Sequence, residues 1–464
     1  MNLDLKYYDW FKETVNQTSF YCFRYGISNI DWKVSKDNLR NPKYAEEFFI
    51  KVHKGFGLAQ EEIVNALLLI NSRILKNNEN LKYARQENDE EKLKEYKIEK
   101  INLEYHEKVF RKFADSIAWQ LLHCQLHIVR RLYKLHKITP INNSNLKHGK
   151  DFVNWYNKKN PKSFALLSDI TSFIQIGDVI ILDSKLKGIG ILELKEGKTN
   201  EEILDFIETL KDTKESPNKL IFNFLKEKGD KKFEQLMRVL KQDIRSLSTI
   251  STINKSYGKD FDTGLNIIIS EDTFKLDNFN NQVFKLLEIT SRDFSATDII
   301  DNCLLVGVYH SELFGFNSFK MWRTLKNINY PIINFRDSFY VPCSTPPFLT
   351  GIGEENVLDI LFLRKHLFFC LDFNEWFKLA NSIGIKVKWL SSKQTTQLSQ
   401  KRITLEKPVT FDGRAIQFSN GVEKMTLEEG ILARIFYDFV TPLSALKFIK
   451  RVLEWKPDLN SKNI

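Results

Sequence analysis

The sequence predicts an α/β protein in three parts. An N-terminal module of long helices covers residues 1–140, an α/β core with a mixed central sheet flanked by helices covers 141–312, and an α+β module covers 313–464. The chain of 464 residues is long enough for two or three domains, each with its own core. Two patterns predict the class: a long segment without helix breakers, and downstream of it short apolar runs that alternate with helical patterns.

The N-terminal module is predicted from composition and periodicity. Neither Gly nor Pro occurs between Gly57 and Pro140, and Glu, Lys, Leu and Ile dominate the segment, which favours long helices. An Asn-rich run at residues 77–80 predicts a break. From Leu93 onward apolar residues recur at multiples of four, which predicts a second helix over about 87–136.

Strand patterns begin after residue 162. The segment 137–162 is rich in Asn, Gly and Pro, which predicts a connection or a short capped helix. Beyond it, short aliphatic and β-branched runs predict strands at residues 164–167, 179–182, 189–194, 265–270 and 304–309. The remaining patterns predict helices at 201–211, 231–246 and 356–364, strands near Phe368 and Val387, and a last helix after Leu427.

Composition excludes several classes of protein. Hydrophobic residues make up 42% and charged residues 28%, which argues against wholesale disorder and fibrous architecture. No apolar run approaches the roughly 18 residues of a membrane span, so no membrane partner is predicted. The five cysteines form no CxxC pair, which argues against a disulfide framework or a zinc site and favours the cytoplasm. The net charge of +10 suits a polyanionic partner, although abundant Lys, Asn and Ile are equally typical of low-GC coding sequence.

A hairpin is predicted between residues 178 and 195. Residues 177–183 have the pattern of a strand, 184–188 that of a turn, and 189–195 that of the returning strand. A hairpin centred between Lys185 and Leu186 places Asp178 opposite Glu193, with Cβ atoms about 5 Å apart. Because side chains alternate along a strand, Lys195 shares the face of Glu193, while Leu192 and Leu194 are expected to point into a core.

Two opposed carboxylates and a lysine predict a metal site. Opposed carboxylates repel unless a cation lies between them, and the flanking runs are as apolar as central strands buried on both faces. A hard oxygen site selects Mg²⁺, with Mn²⁺ as a substitute, and Mg²⁺ needs only one or two protein carboxylates besides a substrate phosphate. The alternative is a solvated strand edge on which Asp178 only begins a strand.

This pattern resembles the PD-(D/E)XK nuclease superfamily. In that superfamily an Asp begins one central strand, a Glu-x-Lys lies on the next, and a later helix carries a Gln or a basic residue. The matching residues here are Asp178, Glu193 and Lys195, with Gln235 and Arg238 on the later helix. The resemblance covers about residues 150–310, where it implies a restriction-endonuclease-like core. The family's usual Pro before the Asp is Gly here, and no upstream helical Glu is assigned.

The resemblance implies Mg²⁺-dependent hydrolysis of DNA phosphodiester bonds, in a cytoplasmic protein of bacterial antiphage defence. Catalysis is expected from Asp178, Glu193, Lys195 and Gln235, and the metal is expected on Asp178 and Glu193, with Asp169 as a further ligand or a turn cap. Two alternatives stay open: a site-specific restriction endonuclease, and a nuclease fold that only binds nucleic acid or protein. A homo-oligomer or a regulatory protein partner also stays open.

Two other groups of residues are candidates for binding. His127, Arg130 and Arg131 share the polar face of the predicted second helix, and with Arg238 they are expected to contact a nucleic-acid backbone, an ordinary solvated face being the alternative. A zinc site on His123 and His127 lacks a third ligand. The aromatic residues of 330–348 fit base stacking, but core packing is the favoured interpretation.

Overall fold

The chain divides into two compact units, Met1–Glu271 and Asp272–Ile464. The computed structural model describes residues 5–28, 42–134, 141, 143–183, 188–194, 198–212, 217–269, 275–401 and 408–455. The division differs from the predicted one, because residue 312 lies between two paired strands, Leu304–Tyr309 and His366–Leu371. Strand pairing across that position ties the last part of the predicted core to the C-terminal module.

The first unit is mainly helical. Its helices are α1 (Leu5–Ser19), α2 (Tyr25–Ser28), α3 (Pro42–Gln86), α4 (Glu90–Leu121), α5 (Leu126–Leu132), α6 (Asn143–Lys159), α7 (Lys198–Asp212), α8 (Pro217–Lys228) and α9 (Asp230–Lys255), with a π-helical turn at Phe20–Arg24. Its strands are β1 (Ser163–Leu167), β2 (Val179–Asp183), β3 (Gly188–Leu192), β4 (Tyr257–Lys259) and β5 (Asn266–Ile268). The predicted long N-terminal helices are therefore confirmed.

The helix breaks lie at other positions than predicted. Helix α3 continues through residues 77–80, where Asn77 is buried, since Asn lowers helix propensity only slightly and the helix packs along α4. The break comes at Asn88, whose φ is +54°, and Asp89 then caps α4 by accepting a hydrogen bond from the Lys92 amide at 3.0 Å. A second break, with φ of +53° at His123, separates α4 from α5.

Helix α6 packs against β1 in the segment where the sequence predicts a connection or a short capped helix. The helical alternative is confirmed, and the helix has 17 residues. A Cβ at Gly149 would lie 2.6 Å from Leu167 Cδ2, so a larger residue here would require the Leu167 side chain to shift. The turn-forming residues, Asn143 to Gly149, cluster in the first two turns, which is why the sequence pattern also allowed a connection.

The strands of the described residues form small antiparallel sheets, which corrects the prediction of one mixed central sheet. Strands β1, β2 and β3 form one sheet in that order, and β4 pairs with β5 in another. The predicted strand 265–270 therefore does not join the sheet of the hairpin. The coarser prediction, a mixture of helices and strands, is confirmed. Local patterns identify strands, but only long-range packing selects their partners.

The second unit contains two further antiparallel sheets, ordered β6-β7-β9-β8 and β10-β12-β11, with β13 paired to β12. Its strands are β6 (Ser295–Ile300), β7 (Leu304–Tyr309), β8 (Ile333–Asn334), β9 (His366–Leu371), β10 (Lys386–Trp389), β11 (Thr410–Phe411), β12 (Arg414–Ser419) and β13 (Lys424–Thr426). Its helices are α10 (Asn280–Thr290), α11 (Glu312–Leu325), α12 (Glu354–Leu361), α13 (Phe373–Ser382), α14 (Ser392–Lys401), α15 (Glu429–Tyr437) and α16 (Pro442–Glu454).

The aromatic residues of 330–348 mostly belong to the core of the second unit. Phe335 and Phe339 are buried, and Phe335 stacks on Phe439 with ring centroids 5.2 Å apart. Tyr340 is exposed. Core packing, the favoured interpretation, is therefore confirmed for the two phenylalanines. No helix of the described ranges combines the length and apolar character needed to cross a bilayer.

Candidate functional site

The hairpin has the predicted register. Val179 pairs with Leu192, and Ile180 pairs with Ile191, so the next positions outward are Asp178 and Glu193. The regular ladder ends at the first of these pairs, and both acidic residues lie one position beyond the strands. Their placement therefore depends on local contacts as well as on strand pairing.

Asp178 is tied to both neighbouring strands. Its backbone N–H donates to the Leu192 carbonyl at 2.8 Å, and its carbonyl accepts from the Ser168 N–H at 2.9 Å. Its side-chain Oδ2 accepts a hydrogen bond from the Leu194 N–H at 2.6 Å. The carboxylate is thus held where the ends of β1, β2 and β3 meet.

Gly177 explains the departure from the family's Pro-Asp pattern. Its φ is +72°, a conformation open to glycine and closed to proline. A Cβ at this position would lie 2.3 Å from Ile191 Cγ2 and 3.0 Å from the Leu192 carbonyl oxygen. The glycine therefore lets the chain turn tightly against β3 immediately before Asp178.

Asp169 lies in the loop between β1 and β2, close enough to Asp178 for the two charges to interact. Burial raises the pKa of the Asp169 carboxyl, the negative charge of Asp178 raises it further, and the positive charge of Arg111 opposes the rise. This is the behaviour of two neighbouring carboxylates with too little compensating charge. Asp169 was the weakest of the predicted metal ligands, and it is the one that the structure brings next to Asp178.

A cavity of about 220 Å³ contains both carboxylates. Its described lining consists of Leu146, His148, Gly149, Leu167, Asp169, Asp178, Leu194 and Asn200. His148 comes from α6 and Asn200 from the first turn of α7. Neither residue is among the predicted site residues, because 137–162 is predicted as a connection or a short capped helix and because a single Asn at the start of a helix is ordinarily a cap.

Of the predicted Glu-x-Lys residues, the structure describes Glu193 and Leu194. Glu193 is partly buried but is not among the described residues that line the cavity, where Leu194 lies instead. Lys195 lies outside the described residues. The expectation that Leu192 points into a core is wrong, because this side chain is 37% exposed and β3 is the last strand in the sheet order.

The donor set fits a hard cation only in part. Asp169 and Asp178 supply two carboxylates, and His148 and Asn200 add polar groups on the same cavity. Across the described ranges, no three His, Cys, Asp or Glu side chains come together as a ready group of ligands. Two carboxylates are nevertheless enough for Mg²⁺, which keeps several waters and takes further oxygens from a phosphate substrate.

Comparison with protein-family models, with curated proteins and with solved structures found no match.

Helix α9 is connected to the cavity through one side chain. Gln235 Nε2 donates to Asn200 Oδ1 at 2.9 Å, and Arg238 donates to the Gln235 Oε1. Gln235 thus lies one residue away from the cavity lining, on the helix where the family resemblance placed it. Arg238 is exposed.

The other predicted nucleic-acid contacts lie on α5. His127 and Arg130 are exposed, whereas Arg131 lines a separate cavity of about 10 Å³ together with Lys134, a volume that suits one water molecule. A zinc site on His123 and His127 would require both residues on one helix. That expectation is wrong, because His123 lies in the turn before α5. None of these residues is in the described lining of the cavity that contains Asp178.

Replacing Asp169 with Asn is expected to stabilise the metal-free protein at neutral pH. A raised pKa means that the folded state holds its proton to higher pH than the unfolded state, so stability falls as pH rises through that range. The neutral Asn avoids this cost, and the gain should shrink as pH is lowered. Urea unfolding in EDTA across pH 4–8, with Asp183→Asn as a control for the exchange in the same sheet, tests this; a pH-independent difference would contradict it.

Proposed function

We propose that this protein is a Mg²⁺-dependent nuclease of the PD-(D/E)XK type that hydrolyses DNA phosphodiester bonds. The observation that carries the proposal is the meeting of Asp169 and Asp178 in one cavity, at the end of a hairpin whose register places Asp178 opposite Glu193. A carboxyl whose pKa is raised by burial and by a neighbouring carboxylate is expected where a cation is bound. Two carboxylates with only a structural role would gain no stability from lying this close together.

The restriction-endonuclease-like core is part of the proposal. Helix α6, the antiparallel strands β1 to β3 and the helices α7 to α9 follow one another along the chain. The Asp precedes β2, the Glu follows β3, and the Gln lies on α9, which is the order of the superfamily motif. The hydrogen bond from Gln235 to Asn200 supports the assignment of α9 as the auxiliary helix.

In this proposal Asp178 and Asp169 hold the metal, and Glu193 joins them when substrate is bound. Bound Mg²⁺ would supply charge neutralisation at the phosphate and a more acidic water. Lys195, two residues after Glu193, orients that water and receives or stabilises its proton. Gln235 holds Asn200 in place, and His148 faces the entering phosphate from α6.

Substrate contacts outside the cavity are assigned to His127, Arg130, Arg131 and Arg238. Arginines hold phosphates bidentately and position a backbone without reading bases, and the net charge of +10 favours a polyanion. Such contacts release counterions, so binding should weaken steeply as salt increases. A role in the cytoplasm of a bacterium, in antiphage defence, is the biological setting that this proposal implies.

Cleavage assays with Glu193→Ala and Lys195→Ala test the proposal. Wild-type protein is expected to cut plasmid and oligonucleotide DNA with Mg²⁺ or Mn²⁺ and not with EDTA, and each variant should lose at least roughly 100-fold in rate. Asp183→Asn, at the turn end of the same hairpin, should cut normally. Equal rates for all variants would contradict the proposal, and DNA binding without cleavage would favour a repurposed nuclease fold. Discrete product bands would indicate a site-specific endonuclease.

A further inference from the structure

The loop that carries Asp169 is held by buried charged residues of α4, a helix about fifty residues upstream. Arg111, Lys112 and Asp115 have side chains that are at most 1% exposed. Charged side chains are rarely buried to this degree unless they are paired. Here they point across to the loop after β1, so the long-helix region forms part of the surroundings of the candidate site.

Arg111 binds two backbone carbonyls of the loop. Its Nη1 donates to the Asp169 carbonyl at 2.6 Å and to the Thr171 carbonyl at 3.0 Å, and its Nε donates to Glu107 Oε1 at 2.7 Å. Both loop carbonyls are bound from Nη1, at the far end of the side chain, while Nε binds Glu107. A lysine ammonium lies closer to its own backbone and has no second nitrogen for Glu107. The residue held most closely is Asp169 itself.

A second anchor holds the next part of the same loop. Asp115 accepts from the Ser172 N–H at 2.7 Å and from the Ser172 hydroxyl, and Lys112 Nζ donates to Asp115 at 2.9 Å. The loop residue that Asp115 binds is Ser172, which lies beyond Asp169 in the chain. This anchor provides a matched comparison for Arg111, because both restrain one loop and Arg111 binds the Asp169 carbonyl directly.

We infer that Arg111 is a positioning residue for the metal site: it fixes the Asp169 carboxylate beside Asp178 by clamping the backbone on which that carboxylate is carried. The inference rests on the proposed function, since it requires Asp169 to bind a cation. Residues that hydrogen-bond to a metal ligand without binding the metal commonly contribute 10- to 100-fold to metal affinity. A hydrogen bond to the ligand's own carbonyl, supported by a second one to the Thr171 carbonyl, is such a contact.

The test measures Mn²⁺ binding to the full-length protein without nucleic acid, by the electron paramagnetic resonance signal of free Mn²⁺. Arg111→Lys, which keeps the charge but has a shorter side chain and no Nε donor for Glu107, is expected to weaken Mn²⁺ binding roughly 10-fold or more. Ser172→Ala, which loosens the second anchor, should bind Mn²⁺ like the wild type. Glu107→Ala, which removes the third partner of Arg111, should cause a smaller loss of Mn²⁺ affinity. It replaces Arg111→Lys as the test if that variant does not fold.

A double-mutant cycle with Asp169→Asn decides whether Arg111 acts through Asp169. If it does, Arg111→Lys should have no further effect on Mn²⁺ binding in the Asp169→Asn background, whereas independent effects would multiply. Wild-type affinity in Arg111→Lys, an equal loss in Ser172→Ala, or multiplying effects would each overturn the inference. Loss of binding in Asp178→Asn but not in Asp169→Asn would overturn the inference and leave the proposed metal site standing. If neither Asp178→Asn nor Asp169→Asn loses Mn²⁺ binding, the metal-site proposal itself is wrong.

Discussion

Asp178→Asn is expected to abolish Mg²⁺-dependent DNA cleavage while leaving the fold intact. Asn keeps an oxygen that can accept the hydrogen bond from the Leu194 N–H, now 2.6 Å from Oδ2, so the junction of the three strands should survive. The substitution removes the negative charge that pairs with Asp169 around the cation. A loss of at least 100- to 1,000-fold in rate is expected, since an electrostatic group at the reacting phosphate contributes on this scale.

The measurement compares single-turnover cleavage rates over a range of Mg²⁺ concentrations. If Asp178 holds the metal, excess Mg²⁺ should restore part of the lost rate, because weakened binding is overcome by mass action. Asp183→Asn serves as the control, since it makes the same exchange at the other end of β2. A variant with wild-type rates and an unchanged Mg²⁺ requirement would rule out Asp178 as a ligand.

Asp115→Ala is expected to destabilise the first unit by roughly 3–5 kcal/mol, the usual cost of removing one partner from a buried ion pair. Lys112 Nζ lies 2.9 Å from Asp115, and both side chains are fully buried. Without Asp115 the ammonium group loses this carboxylate and keeps a 3.4 Å contact to the Ser172 hydroxyl. The Ser172 N–H also loses its acceptor.

Hydrogen exchange of α4 peptides under increasing urea would measure this loss within the first unit. Glu47→Ala is a suitable control, because its partner Lys51 is 3.0 Å away on the exposed side of α3 and such pairs contribute less than about 1 kcal/mol. Replacing both members, as in Lys112→Met with Asp115→Leu, should recover much of the loss, since no buried charge then lacks a partner. A change below about 1 kcal/mol in Asp115→Ala would contradict this account.

Asp178→Asn and Asp115→Ala are expected to separate an effect on the cleavage rate from an effect on stability. Asp178 lies at the cavity and its replacement should affect rate more than stability, whereas Asp115 lies behind the loop and its replacement should affect stability first. Arg111 combines both properties, because it is buried in α4 and bonded to the backbone of a cavity residue. A gain in stability for Asp169→Asn would fit the same scheme, in which a site tolerates an unfavourable charge that its ligand later neutralises.

The hairpin could be predicted because its information is local. A short turn and alternating side chains define the register between Asp178 and Glu193, and the observed pairs agree with it. The exposure of β3 could not be predicted in the same way. An apolar strand in the middle of a sheet and one at its edge have similar sequences, and only the packing of other elements distinguishes them.

The surroundings of Asp169 depended on contacts that are distant in sequence. Arg111 and Thr171 are 60 residues apart, and a charged residue on a helix is ordinarily expected to face solvent. His148 was missed for a related reason, since the helix that carries it begins with turn-forming residues. In both cases the side chain's role is set by the element packed against it.

The sequence by itself determined the helical character of the N-terminal region, the strands of the hairpin and the register that opposes Asp178 to Glu193, because these follow from periodicity and turn chemistry within a few residues. Tertiary structure alone decided that Asp169, His148 and Asn200 share a cavity with Asp178, and that α4 holds the Asp169 loop with buried charges. Those contacts bring together segments far apart in the chain, and their energies depend on burial that no local pattern records.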